Sequence, residues 1–535
     1  LKVKPKLCFF SFLIFAAKQK EGLRMKRSKV LVSLLIALVT VIVLTACSAG
    51  SKDPDTTKGA DDSKGRKASN SVVVGISQDI DSLDPHNAVY AGTREVLFNL
   101  FEGVVKATSS GDLEPAVASE YSIADDARSI LFTIRDGVKF WDGTAVTAED
   151  IIYSIDRYAG IQGKESAFSI YTGAEKVGDN QVRVNLSEGN TEFIYELTCA
   201  IIPASYAGDG TCPQGTGPFA FDSFTPGESF VVKKNANYWK EGVPSLDEVT
   251  FKIVADTDTA ILQLNAGTLD IWQYLTADQA STIDSKSFDI LVGNVNYVQG
   301  MFLNNKVKPF DDVRVRQAIY YAVDRQQIND MIFEGKSHII GTHLIPAMSK
   351  YYKTDIETAY THDADKAKEL LKEAGYENGF EFTITVPNNY APHQSTAEII
   401  VENLAEVGIT AKINLVEFTT WYSDCYVDRN YEATVVAVDG TLAPSSWFSK
   451  NVSDAANNFT NYNNPEFDKV YAQALAETNL DAKVQYYKDL QQILADDAAS
   501  IYVQDPSNLL AINNQLTGYE FYPISAQDMS IVKYK

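Results

Sequence analysis

Among the residues able to do chemistry, Glu334-Gly335-Lys336-Ser337 ends like a phosphate-binding loop. Such a loop needs a glycine five residues before Gly335, and Asp330 stands there, so the match fails. No GxSxG elbow presents a nucleophilic serine, and no HExxH pair places two zinc ligands and a base on one helix face. The histidines (His86, His338, His343, His362 and His393) are scattered. His338 and His343 are close enough in sequence to suggest metal ligands, but loop or surface roles account for them better. Among 70 Asp and Glu residues no acid–base pair stands out. The five cysteines, Cys8, Cys47, Cys199, Cys212 and Cys425, contain no CxxC, so neither a zinc ribbon nor a thioredoxin-like motif is supported. Cys199 and Cys212 flank a short loop-like segment; a disulfide in an oxidising compartment and two free thiols both fit that spacing. Cys425 reads as a buried thiol. No cofactor is called for. A secreted surface enzyme would therefore lack recognisable machinery, and turnover of peptide or glycan would be needed to support one.

The elements that would position any site read as α/β. Ile130–Ile134 is a strand-length apolar run, and Asp142-Gly143 supplies a turn. Thr147 stands three residues before Asp150, ahead of Ile151, Ile152 and Ile155. That spacing predicts a helix N-cap close to a capping box, with Glu149 and Asp150 at the positive end of the dipole. Val72–Ile76 predicts a buried strand. In the C-terminal half Asp363 can cap a helix that ends at Gly375. Residues 382–386 alternate as a strand, 394–407 are helical in period and stop at Gly408, and 409–416 and 433–438 are further strands. This alternation implies βαβ units with helices on the sheet faces. Residues 465–498 predict two amphipathic helices with a break near Asn479, their Tyr and Leu positions reading as core.

With 535 residues the chain can bury more than one core, and 45% hydrophobic with 22% charged residues describes a globular body. Residues 1–46 hold nine Lys/Arg against one Glu, so the remainder carries −31 against a total of −23. An acidic body argues against nucleic acid, whose phosphates need Lys and Arg; solubility is sufficient reason for the charge. From Met25, Lys26, Arg27 and Lys29 precede the apolar run Val30–Val43, as in a secretory leader. Leu44-Thr45-Ala46-Cys47 looks like a bacterial lipobox, which would make Cys47 the lipid-modified residue that follows a leader over residues 25–46. The run is too short for a membrane span of roughly 20 residues. Residues 1–24 read as a translated upstream region. Residues 47–70 lack large apolar side chains and predict a solvated tether spanning on the order of 25 Å. Anchor and leash place the body at the outer face of a bacterial cytoplasmic membrane, with the long leash favouring a Gram-positive cell.

Several strings then carry a resemblance. They are ILFTIRDGVKFWDGTAVTAEDIIYSIDR (130–157), Leu83-Asp84-Pro85-His86-Asn87, Asn99-Leu100-Phe101-Glu102-Gly103-Val104-Val105, Gly215-Thr216-Gly217-Pro218-Phe219, Asn237-Tyr238-Trp239, Leu264 to Ile271 and Pro309 to Ile319. Together they resemble the extracellular solute-binding proteins, family 5, the oligopeptide- and dipeptide-binding lipoproteins of ABC importers. The resemblance implies an α/β two-lobed, periplasmic-binding-protein-like fold of type II, with an extra inserted subdomain and a ligand cleft between lobes. Lobe I would comprise 71–110, 200–298 and 506–535, the inserted subdomain 111–199, and lobe II 299–505. Hinges would lie near Val298–Gln299 and Asp505–Pro506. The partners implied are a peptide ligand and ABC permease subunits with cytoplasmic ATPases, the protein acting as a monomer. The same fold in relatives takes nickel chelates, haem or sugars, and a peptide-sensing surface receptor is a further alternative.

A peptide binder needs a carboxylate for the ligand amine, strand-like hydrogen bonds for its backbone and apolar room for side chains. In many relatives an Asp after the strand corresponding to 433–438 holds the amine, and the resemblance places Asp439 there. A turn-forming Asp before Gly440 is the plainer role. Further ligand-binding candidates by resemblance are Asn87 and Tyr90 after the LDPH string, Trp272, Gln273 and Tyr274 after the 264–271 string, and Tyr297 at the crossing. Trp421 and Trp447 suit pocket walls but equally suit core packing. His393 would approach a ligand carboxylate. The arginine that pairs a peptide carboxylate in some relatives is replaced by Ala433 and Thr434, which leaves ligand length open.

Overall fold

The computed structural model describes residues 70–163, 166–254, 256–388 and 391–535. The upstream region, the leader, Cys47 and nearly all of the tether lie outside the described residues. Among the described residues no helix is long and apolar enough to cross a membrane.

The body is mixed α/β, built on two large sheets. A seven-stranded sheet runs in the order 288–294, 507–513, 271–275, 71–76, 248–253, 229–234, 219–225. Its strand Ser71–Ile76 pairs in parallel with Glu248–Ile253 in register Ser71 to Glu248. Period-two alternation covers both faces. Val72, Val74, Leu510 and Ile512 enter one core, while Leu509, Ala511, Leu269 and Trp272 enter a second on the opposite side. Gly75 makes room for the second core: a Cβ there would lie 2.4 Å from the Trp272 ring.

A six-stranded sheet runs 338–339, 501–505, 298–303, 433–438, 381–387, 410–416. Strand Glu381–Pro387 is parallel to both neighbours, and helix Ala391–Glu406 makes the crossover to Thr410–Val416. Two parallel strands joined through a helix are the βαβ unit read from the sequence. An antiparallel four-stranded sheet, 118–123, 129–134, 181–186, 171–177, carries its own core with Phe132, Ile151 and Phe193. Thr147 and Asp150 form the capping box that starts helix Ala148–Gln162, the Thr147 N–H donating to Asp150 Oδ2 at 2.9 Å. Asp363 caps Ala364–Glu373, and Asn479 caps Leu480–Asp496 after Pro465–Ala476. One element had no periodic signal: Tyr422–Val427 is a π-helix, following the short helix Phe418–Trp421.

The chain passes between the two large sheets at 295–297 and again at Pro506. The Val295 N–H donates to the Pro506 carbonyl at 2.8 Å, so the two crossings run side by side.

Candidate functional site

The crossings bring together exposed Tyr297 and Asp439. In the six-stranded sheet Val298 stands opposite Val438, so Tyr297, just before one strand, and Asp439, just after the other, leave the sheet at the same end. Both side chains are exposed, Tyr297 by 40%. Asp439 begins a loop folded around Trp447. A Cβ on Gly440 would lie 2.4 Å from the indole, and Trp447 Nε1 donates to the Thr441 carbonyl at 3.0 Å. Trp447 is thus buried beneath the loop and supports it. The ammonium of Lys450, on the next turn, donates to the carbonyl of Asp439.

Beside this loop lies an aromatic ladder. Tyr422 stacks on Tyr426 at 5.4 Å, and Tyr426 stacks on Phe459 at 5.3 Å. Burial pushes the Tyr426 hydroxyl above its usual range, with Tyr422 and Asp439 adding to the rise, which puts Tyr426 within electrostatic reach of Asp439. Trp421 is buried below the ladder, where Nε1 donates to Thr434 Oγ1 at 2.9 Å; it anchors the π-helix and leaves Phe418 and Tyr422 exposed.

The seven-stranded sheet contributes the second group. Tyr274 is 52% exposed and left-handed (φ 63°), its N–H donating to Asn508 Oδ1 at 3.0 Å. Its hydroxyl donates to Glu95 Oε1 at 3.1 Å, while the Gln273 and Gln527 amides donate to Glu95 Oε2 at 2.9 and 2.8 Å. Burial raises the Glu95 carboxyl pKa, and these three donors oppose the rise. Tyr297 adds to the raised pKa of Tyr274, behind burial and Glu95, which sets the two tyrosines near each other. Glu95 lies on helix Ala91–Leu97, begun at exposed Tyr90.

Other sequence candidates are placed differently. Asn87 is exposed, but its amide donates to Asp84 Oδ2 at 2.9 Å, and Asp84 is ion-paired with Arg157. Trp272 is 3% exposed, in the core on Gly75. His393 is buried, with Nδ1 3.0 Å from Gln299 Nε2, and burial lowers its pKa to about 4. His343 pairs through Nδ1 with Asn451 Oδ1 at 2.8 Å and is lowered to about 3 by burial; His338 meets Glu357 at 2.7 Å. Among the described residues no group of three or more His, Cys, Asp or Glu is arranged to hold a metal. Cys199 and Cys212 are free thiols in this structure, each pushed up to about 12 by burial, and Cys425 is a buried thiol. Sequence reasoning missed Glu95, Lys450 and the Tyr422–Tyr426 pair. No motif marks any of them, although Lys450 follows the aromatic pair Trp447-Phe448 that the sequence singled out.

The glutathione-binding protein GsiB of Escherichia coli K12 is 26% identical over 479 residues, covering 85% of this chain and 93% of that protein. AgaA of A. tumefaciens R10, solved with agropinic acid, is 28% identical with a TM-score of 0.67, covering 87% of this chain and 99% of that one. MppA, a periplasmic murein tripeptide binding protein in its unliganded open form, is 22% identical with a TM-score of 0.78, covering 87% and 97%. These neighbours share the two-lobed binding-protein fold. Residues 112–460, more than half of the chain, match the bacterial extracellular solute-binding proteins, family 5. The chain belongs to that family, whose members are non-enzymatic, extracytoplasmic substrate-binding proteins of ABC transporters.

Proposed function

We propose that this protein captures peptides outside the cell and delivers them to ABC permease subunits driven by cytoplasmic ATPases. Cys47 would be the lipid anchor, and 47–70 the leash. Lobe I (71–110, 200–298, 506–535), with the inserted subdomain 111–199, would close on lobe II (299–505). The observation that carries the reading is Asp439, an exposed carboxylate opposite Tyr297 at the crossing between sheets. A peptide ammonium placed there gains a charge-assisted hydrogen bond, and Tyr274, Tyr297 and Tyr422 offer aromatic faces to side chains. Closure would be a hinge motion about 295–297 and Pro506.

The glutathione-binding relative fits the peptide reading. AgaA, solved with agropinic acid, favours a second one, a solute that is not an ordinary peptide. Mass spectrometry of ligand released from the purified protein tests both. A peptide mass supports the first, and a non-peptide solute replaces it with the second.

A further inference from the structure

Lys450 places a cation against the loop that Asp439 begins. Its ammonium carries three N–H donors, of which one goes to the Asp439 carbonyl. Among the described residues it makes no ion pair and no other hydrogen bond. Its remaining close partner is the face of Trp447, 5.8 Å from Nζ. The charge faces two titratable groups. One is Asp439, on the loop, whose carboxylate favours the ammonium; the other is His343, which burial holds neutral and which supplies no counter-charge. Burial is the larger influence on Lys450 and lowers its pKa. A half-buried cation with two idle donors therefore stands beside a residue whose carboxylate is exposed.

That pairing has a chemical consequence. In an α-linked peptide the carbon bearing the terminal ammonium also bears an amide carbonyl, which is neutral. If Asp439 took that ammonium, Lys450 would face an uncharged oxygen. A ligand with a carboxylate on the same carbon would satisfy both charges at once. We propose that Asp439 and Lys450 together recognise a free α-amino-acid head, ammonium to Asp439 and carboxylate to Lys450. The favoured ligands are then peptides joined through the side chain of their leading residue. The inference rests on the peptide reading, and on Asp439 as its amine partner.

The isomers γ-glutamyl-alanine and α-glutamyl-alanine separate the two, because they share composition and net charge and differ in what the amine-bearing carbon carries. Calorimetry on the purified protein should show the γ-isomer binding at least about tenfold more tightly. Lys450→Gln should bring the two isomers to equal affinity, and Lys450→Arg, which keeps the charge, should retain the preference. Thermal unfolding of both variants shows whether they are folded, and retention of the preference by Lys450→Arg rules out a merely structural loss. Equal binding of the isomers by the unaltered protein, or a preference that survives Lys450→Gln, overturns the inference. Binding of the α-isomer alone removes this inference and leaves the peptide reading; binding of neither removes both.

Discussion

The carboxylate of Asp505 accepts the backbone N–H of Tyr297 at 3.0 Å and that of Asn296 at 2.9 Å, fastening one crossing between the sheets to the other. Asp505 is fully buried, and among the described residues its Oδ2 has no hydrogen-bond partner. Burial pushes its pKa up from 3.8 to about 8, against the two N–H donors and the nearby Asn294 amide. The folded protein thus holds a proton here that the unfolded chain releases, so stability falls as pH rises from about 4 to about 8. Asp505→Asn keeps one accepting oxygen and removes the charge. Its stability relative to the unaltered protein should rise across that window, by up to about 1.4 kcal/mol for each pH unit crossed. Urea unfolding at pH 5 and pH 8.5 checks it; a gap between the two proteins that does not change with pH rejects the assignment.

Asp439→Asn removes the charge offered to a ligand ammonium and keeps the turn before Gly440. Peptide affinity should drop by about 1.5–3 kcal/mol, the worth of a charge-assisted hydrogen bond. Calorimetry with a bound peptide identified by mass spectrometry measures it. An unchanged Kd takes Asp439 out of the site.

Gly440→Ala is the packing counterpart. The new methyl would stand 2.4 Å from the Trp447 indole, closer than van der Waals contact allows. Overpacking of this kind costs about 1–3 kcal/mol. The loop must move to relieve it, so both the denaturation midpoint and ligand affinity should fall. Affinity left intact would show that the Asp439 loop does not need the indole beneath it.

Glu95→Ala should leave three donors, on Tyr274, Gln273 and Gln527, without their acceptor. The expected loss is about 1–3 kcal/mol of stability, with Tyr274→Phe costing less because it removes one donor and leaves the others paired. Chemical denaturation of the two variants side by side gives the order, and the reverse order refutes the account.

Glu192 and Lys483 form a buried ion pair at 3.1 Å, joining the four-stranded sheet's core to helix Leu480–Asp496; the Ser445 N–H also donates to Glu192 at 3.0 Å. Lys483→Met strands the carboxylate in the interior. A loss of about 3–5 kcal/mol follows from the unpaired buried charge, and the double variant Glu192→Gln/Lys483→Met should recover part of it. Unfolding of single and double variants in one cycle checks the coupling.

Local sequence signals were strong wherever backbone chemistry is short-ranged. Thr147 with Asp150, Asp363 and Asn479 marked helix starts because a cap is made within three residues. Alternation marked 382–386 as a strand because one face is read every second residue. The tryptophans were a different matter. Trp421 and Trp447 suited a pocket wall and a core equally, and the fold buried Trp421 beneath exposed Phe418 and Tyr422 and Trp447 beneath the Asp439 loop. The Tyr422–Tyr426 stack depends on a π-helix, whose i, i+5 bonding leaves no periodic trace over six residues.

Taken alone, the order of residues determined the capped helices and alternating strands, the α/β class and, through strings spread along the chain, the family. Which groups meet was decided by the tertiary structure. Asp439 lies more than a hundred residues along the chain from Tyr297 and Tyr274, and the three converge because two sheets change over at 295–297 and Pro506. Glu95 and Lys450 join them in the candidate site through Tyr274 and the Asp439 carbonyl, since a lone charged residue announces no role until burial removes its water and fixes the partners it has left.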